Sequence, residues 1–441
     1  MAKERSTVLS ALLRVEQDGG YSNLVWNNAL QKEQLTQSET AFATSLFYGV
    51  LERQITLDYI INTYAKIKTE KMKPFIRNAL RMGVYQLIFM DASCAHAAVN
   101  ETVNLVKKSP FKNLSGFVNG ILRSVQRGGN TLQGLENCHT PTALSITYSV
   151  PLFLVNHYIA CYGEQVTREL LKEFVGGRPL YLRANPIKTT PSHLQEALAE
   201  EGIQTTLCEE FEHTLKVEGG GNPFATKAYE QGHFYAQDPA SGYCIAALGA
   251  RAGMRVLDVC AAPGGKSFTI AGQMENKGEL ISCDLYPHKI ELMRESAARL
   301  GLTCMKPTLR DANSGEDIGT FQRILCDLPC SGLGVLGRKP EIRYKAPEDV
   351  TAFPPMQYEM LKNQVHRLEK GGVLVFSTCT LNPRENEENL ARLLQEFSCL
   401  QPYPILPHLK RALGEEEHYI NLLPHIHGTD GFFIGAVRKA E

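Results

Sequence analysis

The sequence predicts a three-part chain. An all-α domain covers residues 1–130, a small α+β insert covers 149–240, and an α/β domain with a doubly wound parallel sheet covers 241–441, with a linker at 131–148. Three observations carry this reading. Up to residue 127, apolar residues recur at helical spacing and never alternate as in a strand. The middle stretch mixes one helical pattern with short strand-like pieces. From Arg255 onward, short apolar runs are separated by helical stretches, the rhythm of a parallel sheet.

In the first part, Phe75, Ile76, Ala79, Leu80, Tyr85, Leu87 and Ile88 mark one helix face. Ser38 with Glu39 is the expected opening of a helix through Phe42, Leu46, Phe47, Val50 and Leu51, and Pro74 suits a first helical turn. Gly128-Gly129-Asn130 and the polar stretch that follows, to about Tyr148, read as the linker. In the second part, a helix over about 152–174 precedes strand-like pieces at 179–183 and 213–217. In the third, the expected strands are 256–259, 280–283, 324–326 and 373–376.

Composition narrows the class. With 441 residues, 43% apolar and 21% charged, the chain can bury several cores, which excludes a disordered protein. It has no run of 18 apolar residues, so an ordinary membrane-spanning helix is excluded. The opening MAKERSTVLSALLRVEQ is cut by Arg14 and Glu16 and does not read as a secretory signal, so a cytoplasmic location is expected. Twelve cysteines spread from Cys94 to Cys399 without CxxC spacing fit a reducing compartment rather than a disulfide scaffold or structural zinc. The net charge of −1 hides an asymmetry, because residues 1–130 hold 16 basic against 10 acidic residues. A basic helical module is compatible with nucleic-acid contact, and equally with a solvated helix surface.

The first chemical signal is the loop after the first strand of the α/β part. Arg255-Val-Leu-Asp258-Val-Cys260-Ala261-Ala262-Pro263-Gly264-Gly265-Lys266-Ser267 reads as strand, Gly-rich turn and helix start. Such a turn aims backbone N–H groups and a helix dipole at a ligand beyond the carboxyl end of the sheet. It is not a Walker A loop, since that pattern ending at Ser267 needs glycine where Cys260 stands. Pro263-Gly264-Gly265 also lacks the dinucleotide spacing. Asp284 closes the next strand, where a carboxylate can accept hydrogen bonds from ribose hydroxyls. A nucleoside without a pyrophosphate fits that register, and S-adenosylmethionine is a cofactor of that kind. A lone Gly-rich turn is as often purely structural; Asp284 in register shifts the balance.

The next strands end in Asp327-Leu-Pro329-Cys330-Ser331-Gly332 and in Ser377-Thr378-Cys379-Thr380. If consecutive strands are neighbours, Asp327, Cys330 and Cys379 converge on one cleft beside the cofactor. A cysteine in an apolar strand is most often inert filling. Two at the ligand-binding edge, one of them following Asp-x-Pro, are harder to dismiss. A metal would need more ligands than this pair, and no His sits nearby in sequence, so none is expected. A thiolate beside a sulfonium methyl donor points to methylation of pyrimidine carbon C5, which becomes nucleophilic only after thiolate attack at C6. An acid must protonate or hydrogen-bond ring N3 as charge develops, and Asp327 is the nearest candidate. A second cysteine would aid release after transfer.

Together, Cys260-Ala-Ala-Pro-Gly-Gly-Lys266, Asp327-Leu-Pro-Cys330-Ser-Gly and Ser377-Thr-Cys379-Thr resemble the signature of RNA (cytosine-C5) methyltransferases. Leu80-Arg-Met-Gly-Val-Tyr-Gln-Leu, Ala98-Val-Asn-Glu-Thr-Val and Gly116-Phe-Val-Asn-Gly-Ile-Leu-Arg123 resemble the RNA-binding domain of the NusB antitermination factor. The fusion is similar to the RsmB (Sun/Fmu) enzymes, which methylate a cytosine of small-subunit ribosomal RNA. The resemblance implies a NusB-like helical domain, an RNA-binding insert and a Rossmann-like methyltransferase domain. It implies that Cys260, Ala261, Ala262, Pro263, Gly264, Gly265, Lys266, Asp284, Asp311 and Asp327 hold S-adenosylmethionine, with Asp284 at the ribose and Asp311 near the adenine. It makes Cys379 the nucleophile and Cys330 the aid to elimination. DNA cytosine methyltransferases attack with the Pro-Cys cysteine instead, so the residues by themselves leave the two thiols undecided.

Leu328 stands where the family commonly has Ala, and Lys289 lies near a customary Arg; neither change removes a catalytic group. The segment Gly337-Arg338-Lys339-Pro-Glu-Ile-Arg343 and the turn Arg183-Ala-Asn185 resemble family stretches that contact RNA, or are solvated surface. Asp430-Gly-Phe-Phe433 resembles a closing structural hairpin. The expected partner is 16S rRNA, naked or early in assembly, bound by a monomer with no obligate protein partner and no membrane. Two alternatives stand beside this: an RNA-binding antitermination or assembly factor carrying a silent methyltransferase fold, and a cytosine-C5 methyltransferase acting on tRNA or DNA.

Overall fold

The computed structural model describes residues 3–18, 22–129, 132, 134–135, 138–208, 211–405 and 418–440. They form two compact units, Met1–Gly177 with Leu336–Lys345, and Arg178–Val335 with Ala346–Glu441.

The described residues of the first unit are helical and contain no strand. Its central helix, Pro74–Ile88, opens with Pro74 at the first turn and buries Ile76, Ala79, Leu80, Met82 and Val84. Around it pack Lys3–Asp18, Gln37–Glu52, Gln54–Tyr64, Ala92–Lys107 and Ser115–Gly128. The buried cation Arg81 is matched by Asp58 at 2.7 Å and Glu16 at 3.8 Å, as burial of a charge requires. Helix Gln37–Glu52 is capped by Thr36 rather than Ser38. The Thr36 hydroxyl accepts from the Glu39 amide while the Glu39 carboxylate accepts from the Thr36 amide, a reciprocal box that satisfies two terminal donors.

One expectation is corrected here. Residues 141–148 are not linker but helix Pro141–Tyr148, capped by Thr140; Asn130 and residues 131, 133, 136 and 137 lie outside the described residues. The following helix, Leu152–Glu173, packs within the first compact unit.

Segment 336–345 also belongs to this unit, and the RNA-contact and solvated-surface readings of Arg343 both fail. Arg343 has no exposed surface. Its Nη1 donates to the carbonyls of Glu52, Tyr148 and Ser149 at 3.1, 3.0 and 3.2 Å, and its Nη2 to those of Phe174 and, at 3.3 Å, Leu336. Glu52, Tyr148 with Ser149, and Phe174 close three different helices. One guanidinium thus satisfies carbonyls left over at three helix C-termini, where the helix dipoles favour a cation.

The second unit holds two sheets. The insert pairs β1 (Tyr181–Ala184), β2 (Gln204–Leu207), β3 (Thr214–Gly219) and β4 (Phe234–Ala236) antiparallel in the order β2-β3-β1-β4. Leu182, Leu194, Leu198, Leu215 and Phe234 form its core. Asn185 is no RNA contact. It is buried, donating from Nδ2 to the carbonyls of Gly232 (3.0 Å) and Leu300 (2.8 Å), which pins the insert to the α/β part.

The main sheet contains β5 (Arg255–Asp258), β6 (Glu279–Asp284), β7 (Met305–Leu309), β8 (Phe321–Asp327), β9 (Leu368–Thr378), β10 (Leu400–Pro402), β11 (Tyr419–Leu422) and β12 (Phe432–Lys439). Its order is β10-β12-β9-β8-β5-β6-β7, with β11 on β12. From β7 to β9 the pairing is parallel, as expected. β12 adds antiparallel to β9, so the sheet is mixed rather than wholly parallel. The order reverses between β5 and β8, and that switch point opens a crevice at the carboxyl ends of the strands. No single helix among the described residues is long and apolar enough to cross a membrane.

Candidate active site

The turn after β5 lies at the switch point. The Val259 amide bonds the Leu325 carbonyl at 3.0 Å and the Ala261 amide bonds that of Cys283 at 2.7 Å, so the loop is held by both neighbouring strands. Gly264 has φ +112°, and a Cβ there would come within 2.4 Å of the Phe268 ring, so only glycine fits at the start of helix Gly265–Gln273. Below the turn, fully buried Asp258 accepts from the Ser267 hydroxyl at 2.7 Å, and Ser267 touches Ser282 at 2.8 Å. Burial pushes the Asp258 carboxyl up to about 7, against the Ser267 hydrogen bond.

Asp284 ends β6 almost buried. Its carboxylate accepts from the Tyr286 amide at 3.1 Å and lies 3.4 Å from the Lys289 ammonium. Lys289 therefore supplies the cation beside the acid at the position where the family pattern differs. Asp311, in the loop after β7, is exposed and accepts from the Asn313 amide at 2.8 Å. Leu285, Tyr286 and Leu309 border these acids and are 54, 50 and 54% exposed. Leu309 is the parallel partner of Asp284. Leu328 is simply core.

Lys266 reaches from the first helical turn to Asp327 at the end of β8, 2.8 Å away. The other Asp327 oxygen accepts from the Ser377 hydroxyl at 2.8 Å. Burial opposes the lysine's charge, but Asp327 and the nearby Cys244 and Cys379 sulfurs hold its pKa above the usual lysine value. Both Asp327 oxygens are engaged as acceptors. Within this pair Lys266 is the hydrogen-bond donor and Asp327 the acceptor.

β8 and β9 are parallel neighbours with Asp327 opposite Ser377, which brings the loops beyond them together. Cys330 Sγ and Cys379 Sγ are 2.9 Å apart and both half-buried. The hydrogen bond with Cys379, then burial, then the charge of Cys379 raise the Cys330 pKa well above the usual thiol value. Cys260 sits in the turn with its thiol also pushed up by burial.

Of the expected residues, the turn 260–266, Asp284, Asp327, Cys330 and Cys379 lie beyond or at the carboxyl ends of β5, β6, β8 and β9, and Asp311 lies exposed in the loop after β7. Sequence reasoning missed Ser377, Gln357 and the buried Glu385. The Glu385 carboxylate accepts from the Ser331 amide at 2.9 Å and hydroxyl at 2.5 Å. It lies in the charged run Arg384-Glu385-Asn386-Glu387-Glu388, where nothing local distinguishes it. The closing Asp430-Gly431-Phe432-Phe433 is structural, as expected, and it also abuts the site. The Gly431 amide bonds the Gly334 carbonyl at 2.9 Å, the Gly334 amide bonds that of Cys379 at 3.0 Å, and the Phe432 ring lies 4.9 Å from the Lys266 ammonium.

A family model described as 16S rRNA methyltransferase RsmB/F matches residues 245–438. A NusB family model matches residues 2–127, and an RsmF/B-like ferredoxin-like domain matches residues 150–222. The chain is 35% identical to the probable ribosomal RNA small subunit methyltransferase B of Bacillus subtilis (strain 168), over 99% of this chain and 98% of that protein. It is 32% identical to the protein of the same description from Synechocystis sp., over 100% of both. The crystal structure of PH0851 shares the fold, with a TM-score of 0.82 at 22% identity over 100% of this chain and 99% of that one. The three parts are thus a NusB-like all-α domain, a ferredoxin-like insert and a Rossmann-like α/β methyltransferase domain.

Proposed function

The chain belongs to the RsmB/F family of ribosomal RNA small-subunit methyltransferases, and on that footing we propose that it methylates carbon C5 of a cytosine in 16S rRNA through a transient bond between Cys379 and C6. The observation that carries this reading is the pair of sulfurs 2.9 Å apart beside the Lys266–Asp327 ion pair at the sheet's switch point.

The crevice fits S-adenosylmethionine. Asp284 offers a carboxylate at ribose height, and exposed Leu285, Tyr286 and Leu309 offer apolar surface for a purine. Residues 260–266, Asp284, Asp311 and Asp327 would hold it. When bound there, it supplies a methyl group on a sulfonium centre.

The remaining chemistry falls to the chain. Cys379 adds to C6 and pushes electron density onto N3 and O2 of the ring. The Lys266 ammonium, held by Asp327, is the donor that meets this charge. The assignment of Cys379 as attacker is supported by the raised pKa of Cys330, whose sulfur lies within hydrogen-bond distance of the Cys379 sulfur. After methyl transfer the C5 proton passes to water, its bonding pair forms the C5–C6 double bond, and as the C6–S bond breaks the Cys330 S–H group meets the charge returning to Cys379.

The exposed cations Lys107, Lys108, Arg123 and Arg127 of the helical unit support contact with RNA phosphates. The test is a denaturing gel of wild type, Cys330→Ala and Cys379→Ala with S-adenosylmethionine and protein-free small-subunit rRNA. Cys330→Ala should accumulate a covalent protein–RNA band, and Cys379→Ala should show neither band nor methyl transfer. The reverse pattern exchanges the thiols, and no methylation by wild type removes the proposal.

A further inference from the structure

Glu385 has no exposed surface and sits six positions beyond Cys379. Four hydrogen-bond donors converge on its carboxylate. The Ser331 amide lies at 2.9 Å, the Ser331 hydroxyl at 2.5 Å, the Asn382 side-chain amide at 3.0 Å and that of Gln357 at 3.0 Å. Gln357 Nε2 also donates to the Pro329 carbonyl at 2.9 Å. The residues on both sides of Cys330 therefore hang from one carboxylate, Ser331 directly and Pro329 through Gln357.

The same group touches the other thiol's loop. The Thr380 hydroxyl, next to Cys379, contacts the Ser331 hydroxyl at 2.7 Å and lies 3.5 Å from Glu385 Oε1. The loop of Cys379 has further anchors. Asn386 accepts from the Thr378 hydroxyl at 2.6 Å and donates to the Thr380 carbonyl at 3.0 Å, the Gly334 amide bonds the Cys379 carbonyl, and Cys379 directly follows the long strand β9. Cys330 lies in an irregular loop past β8, and the hydrogen bonds of its two flanking residues run mainly to Glu385 and Gln357. Removing the carboxylate would loosen Cys330 first.

We infer that Glu385 is a positioning residue that sets Cys330 against Cys379 and so serves the release of the methylated base rather than the attack on it. The inference rests on the proposed covalent reaction at this site. During release a water molecule takes the C5 proton, the C5–H electron pair forms the C5–C6 double bond, the C6–S pair returns to the Cys379 sulfur, and the Cys330 S–H donates a hydrogen bond to that sulfur. The charge of Glu385 also favours the protonated form of Cys330, after the contributions of Cys379 and burial.

The test compares full-length wild type, Glu385→Gln and Cys330→Ala with S-adenosylmethionine and protein-free small-subunit rRNA. Trapped adduct, single-turnover methyl transfer, cofactor affinity by calorimetry and thermal unfolding are measured on each. Glutamine keeps the shape but loses one of the two acceptor oxygens, so Glu385→Gln should trap adduct as Cys330→Ala does, while methyl transfer and cofactor affinity stay near wild type. Turnover should fall by about tenfold to a hundredfold, the range set by losing one or two hydrogen bonds to a charged group. Release at the wild-type rate overturns the inference, as does a joint loss of cofactor affinity and adduct formation, the mark of a merely structural role. Should Glu385→Gln fold poorly, Ser331→Ala removes only the hydroxyl from the clamp. It should show the same split at smaller size, and wild-type release by that variant also overturns the inference. If Cys330→Ala itself traps no adduct, the covalent reading fails and the clamp's role falls with it, an outcome distinct from a normal Cys330→Ala beside an unaffected Glu385→Gln.

Discussion

Replacing Asp258 by asparagine should flatten the pH dependence of stability. Asp258 has no exposed surface, and burial raises its carboxyl from 3.8 to about 7. Between those values the folded chain holds a proton that the unfolded chain has lost, so folding takes up a proton and stability falls as pH rises through the window. A shift of about three units corresponds to on the order of 4 kcal/mol across the whole window. From about pH 5 to about pH 8 roughly 3 kcal/mol of it remains. Asparagine can still accept from Ser267 but carries no charge at any pH, so the variant lacks this slope. Thermal unfolding of both proteins at the two pH values provides the assay, because the difference between proteins cancels every other titrating group. At about 2–4 °C per kcal/mol in a unit of this size, Asp258→Asn should gain several degrees on wild type at the higher pH compared with the lower. An equal difference at both pH values would falsify the argument that burial dominates at Asp258.

Three other substitutions probe different parts of the machinery. Lys266→Met removes the 2.8 Å partner of Asp327 and, with it, the proposed donor to the ring. Adduct formation measured by rapid quench should slow by about a hundredfold or more, and an unchanged rate would assign the donor role elsewhere. In Gly431→Ala the new Cβ would lie 2.7 Å from Gly334 Cα and 2.8 Å from its carbonyl oxygen, both backbone atoms that cannot swing aside. A destabilisation of about 1–3 kcal/mol in urea is expected, with slower methyl transfer because Gly334 supports Cys379; wild-type behaviour in both would contradict the close packing. Arg343→Met strips the charged donor from helix-terminal carbonyls in the first unit. It should cost about 3–5 kcal/mol and leave rRNA affinity unchanged once the protein is folded. A specific loss of affinity without loss of stability would restore an RNA-contacting role.

The sequence by itself determined the order of parts, the parallel strands β5, β6, β8 and β9 but not β7, the turn at residues 260–266, the acid Asp284 at the end of β6 and the arrival of both cysteines at strand ends. These are legible because each depends on local requirements: a two-residue or helical period, a glycine where the turn crowds its neighbour, an acid at the end of a strand. Even the misplaced cap at Ser38 was wrong by only two residues, since Thr36 and Glu39 satisfy the same local donors. The tertiary structure alone decided what lies across from what. Asp327 became an acceptor because Lys266 and Ser377, 61 and 50 residues away, occupy its two oxygens. Arg343 and Glu385 stand among other polar residues in the chain, and either reads as solvated surface. Arg343 is buried because three helix ends converge on it, and Glu385 because the loops of Cys330 and Cys379 close over it. The price of burying a charge is met only by partners distant in sequence, and a local pattern carries no record of them.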